Sequence, residues 1–153
     1  MLRDTINDAL KDAMKAKDQR RVSTLRLVNA ALKNADIEAR GQGKQALGED
    51  AVLGVMQKMI KQRQESAELY DKGGRPELAA QEREEIAIIS GFLPQQMSDL
   101  EAGSVIQQIV HEINAQGLKD MGRTMTALKE RFAGRMDFSK ASAKVKELLG
   151  SHK

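Results

Sequence analysis

One short segment, Phe92-Leu93-Pro94-Gln95-Gln96-Met97-Ser98, constrains the fold of this chain more than any other. Pro94 has no N–H and disfavours a helical conformation at the residue before it, so a helix that enters the segment ends there. Ser98 and Glu101 have the spacing of a capping box, in which each side chain accepts the backbone N–H of the other residue. A helix end followed at once by a helix start predicts a boundary between two helical domains.

The apolar pattern predicts an all-α fold, because apolar residues recur every three to four positions and extended alternation is absent. Residues 1–93 contain four amphipathic stripes, which predict an N-terminal domain resembling a four-helix bundle. A polar break at residues 18–21 is predicted to precede the second helix, and Pro76 is predicted to take the first position of the fourth. Residues 98–153 contain three shorter stripes, which predict a small three-helix domain after a linker at 94–97. The first helix of this second domain is predicted to run from Asp99 to Gln116, with Gly117 as its C-terminal cap.

The composition of the 153 residues excludes several classes of protein. The chain has no cysteine, so disulfides, thiolate metal sites and cysteine nucleophiles are excluded. No window approaches the length of about 18 apolar residues that a membrane span needs, so no membrane partner is expected. The first residues, Met1-Leu2-Arg3-Asp4, lack the apolar run of a secretory signal. These features together lead us to expect a cytoplasmic protein.

The charge of the chain is unevenly distributed. Residues 1–93 carry 16 basic and 15 acidic side chains, whereas residues 118–153 carry 9 basic and 4 acidic ones, a local charge of +5. An excess of this size attracts polyanions weakly. The alternative interpretation is an ordinary solvated helical surface, which needs no ligand.

The sequence does not indicate a catalytic centre. It contains no GxGxxG, P-loop or GxSxG pattern. His111 has no cysteine, no second well-placed histidine and no HExxH pattern with it, so an ordinary surface or boundary histidine is favoured over a zinc ligand. We therefore predict no metal, no cofactor and no catalytic residue, and we do not expect the chain to be an enzyme by itself.

Two arginines and two glutamates are predicted to form structural ion pairs in the first domain. Arg26 and Arg63 lie close to the apolar stripes of their helices, and a half-buried arginine needs a carboxylate partner. Glu82 and Glu85 lie three residues apart on the fourth helix, beside its apolar residues. We expect Arg26 or Arg63 to pair with Glu82 or Glu85. A di-metal site is disfavoured because the Glu-x-x-His pattern is absent.

The chain is similar to the GatB/YqeY family in an ordered set of segments that covers nearly its whole length. The segments are Thr24-Leu25-Arg26, Lys33-Asn34-Ala35-Asp36-Ile37-Glu38, Arg63-Gln64-Glu65-Ser66 with Tyr70, Gly74-Arg75-Pro76-Glu77-Leu78-Ala79 with Glu82 and Glu85, Phe92 to Ser98, and Met121-Gly122-Arg123-Thr124-Met125. None is diagnostic alone, but their order is specific. The resemblance implies two helical bundles in tandem.

The resemblance also implies a function. In this family the same module forms the tail of the B subunit of the tRNA-dependent aspartyl/glutamyl-tRNA amidotransferase, where it helps to hold the tRNA. It implies a non-catalytic accessory protein whose partners are tRNA or another structured RNA, and aminoacyl-tRNA-handling proteins. Carbon–nitrogen ligase activity, with glutamine as amide donor, is implied only by this association.

The candidate phosphate-binding residues lie in the basic part of the second domain. They are Arg123, Lys129, Arg131, Arg135, Lys140 and Lys144. An adaptor module that binds protein and no nucleic acid is the alternative.

Overall fold

The computed structural model describes residues 1–43 and 47–150, and it divides the chain into two compact units, Met1–Pro94 and Gln95–Lys153. The described residues form helices, turns and loops but no strand, which confirms the predicted all-α fold. None of the helices in the described ranges combines the length and apolarity needed to cross a membrane.

The described residues of the first unit form four helices: α1 (Leu2–Ala16), α2 (Gln19–Gly41), α3 (Glu49–Lys72) and α4 (Pro76–Ser90). Helices α3 and α4 form the most extensive contact, α1 packs on α2, and α2 also contacts α3 and α4. The stripes of all four helices meet in one buried cluster. Its members are Ile6, Leu25, Val28, Leu32, Val52, Met56, Met59 and Ile89.

Local sequence signals explain the ends of these helices. Helix α2 begins at Gln19, earlier than the polar residues 18–21 suggest, because the Asp18 side chain accepts the N–H of Arg21 at 3.2 Å and caps the helix. Pro76 occupies the start of α4, as predicted, where its missing N–H costs no hydrogen bond. Gly74 before it has φ +73°, a conformation that glycine adopts without strain.

The second unit contains α5 (Asp99–Glu112), a short 3₁₀ helix (Leu118–Asp120), α6 (Met121–Phe132) and α7 (Phe138–Gly150). The three α-helices contact one another pairwise. Their core is a separate apolar cluster, which explains why this small part of the chain forms its own unit. The buried members are Ile106, Ile109, Val110, Ala115, Leu128, Met136, Ala141, Val145 and Leu149.

The predicted capping box at the start of α5 is confirmed. The Glu101 N–H donates to Ser98 Oγ at 3.1 Å, and the Ser98 N–H donates to Glu101 Oε1 at 3.3 Å. Each bond satisfies an N–H that has no partner within the helix.

The predicted end of α5 at Gln116 is wrong, because the helix ends at Glu112. Asn114 adopts the left-handed conformation with φ +56°, and the Ala115 N–H donates to the carbonyl of Val110 at 3.0 Å. Asparagine tolerates this conformation when it closes a helix, so a glycine is not needed there. The sequence reasoning chose Gly117 as the cap and therefore placed the end too late.

Residues 95–97 of the predicted linker 94–97 are hydrogen-bonded to the turn between α6 and α7. The Met97 N–H donates to the Arg135 carbonyl at 2.9 Å, and Arg135 Nε donates to the Gln95 carbonyl at 3.1 Å. Gln96 also donates a hydrogen bond, to the carbonyl of Gly134. These bonds make the segment part of the second unit.

Candidate functional site

A buried ion pair joins α3 and α4 in the first unit. Arg63 Nε lies 3.0 Å from Glu85 Oε2, and another guanidinium nitrogen donates to the Met59 carbonyl at 3.2 Å. The two side chains are only 15% and 9% exposed. The structure thus brings together two of the four residues that the sequence reasoning had selected for ion pairing.

Glu82 lies one turn before Glu85 on α4 and is half-buried. Burial, together with the negative charge of Glu85, raises the pKa of Glu82 above its ordinary value of 4.5, while Arg63 acts in the opposite direction. The described residues contain no group of three or more His, Cys, Asp or Glu side chains that could hold a metal ion. The arrangement fits a structural charge cluster, in which Arg63 pairs directly with Glu85 and acts on Glu82 only through its charge.

The prediction that placed Arg26 among the half-buried arginines is wrong, because its side chain is exposed. Leu25 and Val28 point into the core, and the turn of the helix then directs Arg26 outward. Arg26 instead lines a cleft of about 420 Å³ where α1 meets α2. The other lining residues are Met14, Lys17, Gln19, Val22 and Ser23.

Two of the candidate phosphate-binding arginines form ion pairs within the second unit. Arg123 lies 3.2 Å from Asp120, and Arg131 lies 2.6 Å from Glu112. Hydrogen bonding from the Gln116 N–H holds the pKa of Asp120 below its ordinary value, and the positive charge of Arg123 adds to this effect. The charges of both arginines are therefore partly balanced inside the protein.

Arg135 and Lys144 both donate to backbone carbonyls, and Arg135 also lies over an aromatic ring. Arg135 donates to the segment before α5, and its guanidinium lies 5.9 Å from the ring centre of Phe132. Lys144 Nζ donates to the Asp99 carbonyl at 3.1 Å. Both side chains help to hold the unit together, which the sequence reasoning did not foresee.

Lys129 and Lys140 complete the six candidates. Both side chains are exposed, and neither forms an ion pair with a described residue. They are therefore the members of the set whose charge is most accessible to a ligand.

Another ion pair that the sequence did not indicate joins Arg3 of α1 and Asp36 of α2. Their closest atoms, Arg3 Nη2 and Asp36 Oδ1, lie 2.7 Å apart. The hydrogen bond from Arg3 holds the pKa of Asp36 below its ordinary value. The two residues are 33 positions apart, and no sequence pattern connects them.

The fold and these sites define an all-helical protein of two units whose described residues form charged clusters. The chain belongs to the YqeY family: the family model described as Yqey-like protein matches residues 3–149.

Among curated proteins, the chain is similar to several named "Altered inheritance of mitochondria protein 41, mitochondrial". The protein from Lachancea thermotolerans is 40% identical over 86 residues, which are 56% of this chain and 44% of that protein. The protein from Pyrenophora tritici-repentis is 23% identical over 145 residues, which are 93% of this chain and 77% of that protein. The chain thus spans less than half the length of the first of these relatives.

The names of these relatives also correct the expected cellular compartment. Their names place them in mitochondria, which contradicts the expectation of a cytoplasmic protein. The expectation used the absence of cysteine and of an apolar leader. Neither feature separates the two compartments, because mitochondrial transit peptides are amphipathic and rich in arginine rather than apolar.

Proposed function

We propose that this YqeY-family chain is a non-catalytic, tRNA-associated accessory protein that contacts phosphates through α6 and α7. The family resemblance supports this function. The charge of the second unit supports the assignment of the phosphate contacts to α6 and α7. Residues 118–150 carry eight basic and four acidic side chains. Phosphate contacts of lysine and arginine supply most of the affinity in sequence-independent binding of nucleic acid.

The distribution of charge within the second unit supports the choice of α6 and α7, rather than α5, for the proposed surface. Helix α5 (Asp99–Glu112) contains three acidic side chains and no lysine or arginine. A polyanion is therefore repelled by α5 and attracted by α6 and α7. The exposed lysines Lys129, Lys140 and Lys146 are its first contacts, since no ion pair within the described residues balances them. Arg123 and Arg131 would exchange their carboxylate partners for phosphate.

A fluorescence anisotropy titration with bulk tRNA tests this proposal. We expect micromolar binding at about 50 mM salt that weakens steeply by about 200 mM, because phosphate binding releases counterions. The double variant Lys129→Glu/Lys140→Glu should weaken binding by about tenfold and flatten the salt dependence.

A matched variant, Lys58→Glu/Lys72→Glu, places the same charge change on exposed positions of α3 and should bind normally. Absence of binding at micromolar protein and low salt would overturn the proposal. Equal weakening by both double variants would show that net charge alone decides, which would overturn the assigned surface.

The proposal gives this chain no bond-making step. Carbon–nitrogen ligase chemistry with glutamine belongs to the amidotransferase whose tail the chain resembles. An adaptor function without RNA is the second candidate, and one specific observation favours it: an exposed, partly apolar face on α2.

A further inference from the structure

The outward face of α2 is a continuous stripe rather than a random set of exposed positions. Six residues spaced by three or four positions lie on it, and all six are exposed: Gln19, Ser23, Arg26, Ala30, Lys33 and Ile37. They extend over about 27 Å of helix. We refer to these six residues as the α2 stripe.

Apolar side chains stand in and beside the α2 stripe although water surrounds them. Ile37 is 58% exposed, and Leu27, at the edge of the stripe, is 45% exposed. Met14, which lines the cleft at the start of the stripe, is 51% exposed. Single exposed apolar residues are common, but two on α2 and one at the adjoining end of α1 form a surface that a partner can cover.

The cations of this face lack partners that other cations of the same unit have. Lys17, Arg26 and Lys33 form no ion pair with any described residue. In contrast, four other arginines of the unit are paired with carboxylates. They are Arg3 with Asp36, Arg20 with Glu84, Arg63 with Glu85 and Arg83 with Asp71. The α2 face therefore presents uncompensated positive charge beside exposed apolar groups.

The cleft at the start of the α2 stripe can hold one side chain of a partner. Its walls combine the cations Lys17 and Arg26, the polar side chains of Gln19 and Ser23, and the apolar side chains of Met14 and Val22. Such a lining suits a carboxylate that adjoins an apolar side chain.

We propose that the α2 stripe and its cleft bind an acidic amphipathic helix of a partner protein. Leucine or isoleucine side chains of the partner would cover Leu27 and Ile37, while flanking glutamates or aspartates would meet Arg26 and Lys33. Recognition of an amphipathic helix through apolar anchors at helical spacing is a common mode. RNA fits less well, because the stripe contains no aromatic side chain on which a base can stack.

This surface is independent of the proposed phosphate contacts, since it lies in the first unit. The probe is a designed helical peptide of about 20 residues, long enough to follow the stripe, with leucines on one face and glutamates beside them. A second peptide replaces each glutamate with lysine. Binding to the full chain is followed by anisotropy, and the contact surface is mapped by NMR shifts of backbone amides.

We expect the acidic peptide to bind, the basic peptide to bind at least about tenfold more weakly, and the largest shifts to lie between residues 19 and 37. Arg26→Glu/Lys33→Glu should weaken binding of the acidic peptide by about tenfold, because attraction becomes repulsion. All these positions are exposed, so the fold is retained, and the Lys58→Glu/Lys72→Glu variant serves as the matched control.

Three results would overturn the proposal. They are no saturable binding of the acidic peptide, equal binding of the two peptides, and shifts centred outside α2. A different result would also overturn it: tRNA shifts the amides of α2, and Arg26→Glu/Lys33→Glu weakens the binding of tRNA. The α2 stripe would then be an RNA surface, and its assignment to a partner helix would be wrong. Failure of tRNA to bind α6 and α7 would leave the peptide result unaffected, so the two proposals can fail separately.

Discussion

The two units of this protein use similar ion pairs in different surroundings. In the first unit, Arg63 and Glu85 lie between two long helices, with exposures of 15% and 9%. In the second unit, Arg131 and Glu112 form an even shorter contact, but their exposures are 51% and 47%. A short distance therefore does not measure an energetic contribution, because solvent decides how much of the attraction remains.

The two units also differ in the contacts that hold each of them together. The first unit consists of long helices whose stripes pack along one another, and its charge cluster lies in that contact. The second unit has shorter helices, and hydrogen bonds between residues 95–97 and the turn at 134–135 complete it. A small core gains relatively more stability from such hydrogen bonds, because it buries less apolar surface.

The largest effect is expected from a core truncation in the second unit. Leu128 is fully buried, so Leu128→Ala should lower the free energy of unfolding by about 3 kcal/mol through lost burial and a cavity. Thermal or denaturant unfolding of the full chain measures this. Leu118→Ala is the control, since that side chain is 53% exposed and its truncation should cost less than about 0.5 kcal/mol. A similar cost for both variants would contradict a leucine-centred core.

The second effect compares the two ion pairs directly. Arg63→Met leaves the buried Glu85 carboxylate without its partner and should cost about 3 kcal/mol of unfolding free energy. Arg131→Met breaks an exposed pair and should cost less than about 1 kcal/mol. The double variant Arg63→Met/Glu85→Gln should recover most of the loss, since a neutral amide then replaces the buried Glu85 carboxylate. Equal losses for the two single variants would remove the distinction between the units.

The third effect concerns two fully buried threonines, one in each unit. The Thr24 hydroxyl has no hydrogen-bond partner among the described residues, whereas Thr124 Oγ1 donates to the Asp120 carbonyl at 2.9 Å. Thr24→Val should therefore stabilise the protein by about 1 kcal/mol, and Thr124→Val should destabilise it by about 1 kcal/mol. Denaturant midpoints report both changes, and opposite signs are required.

The smallest effect is a pH dependence in the first unit. The folded-state pKa of Glu82 is raised, so folding favours its neutral form and its ionisation opposes folding as the pH rises through and above 4.5. Glu82→Gln should therefore stabilise the protein at pH 7, and this gain should disappear as the pH falls below 4.5.

Asp120 in the second unit should behave in the opposite way, because its pKa is lowered. Asp120→Asn should destabilise the protein at neutral pH, and the difference should vanish as the pH falls through the lowered pKa. Unfolding measured from pH 3 to pH 7 compares both variants with the unchanged chain. The same sign for Glu82→Gln and Asp120→Asn at pH 7 would contradict the assigned shifts.

Local signals along the chain were sufficient for much of the fold. Pro76, Pro94 and the Ser98–Glu101 capping box placed a helix start, a helix end and a new start near their observed positions. These signals act within one helical turn, so neighbouring residues contain the relevant information. The end of α5 was misplaced because Asn114 and glycine can both close a helix, and the sequence alone did not distinguish them.

Contacts between distant residues could not be read in the same way. Arg26 and Arg63 both lie near apolar stripes in the sequence, yet one lines an exposed cleft and the other pairs with a buried glutamate. The sequence by itself determined which residues form helices and which side of each helix is apolar, because backbone propensity and periodicity are local. Only the tertiary structure decided which charges meet and which face of α2 stays uncovered, because burial and charge pairing depend on how helices far apart in the chain pack.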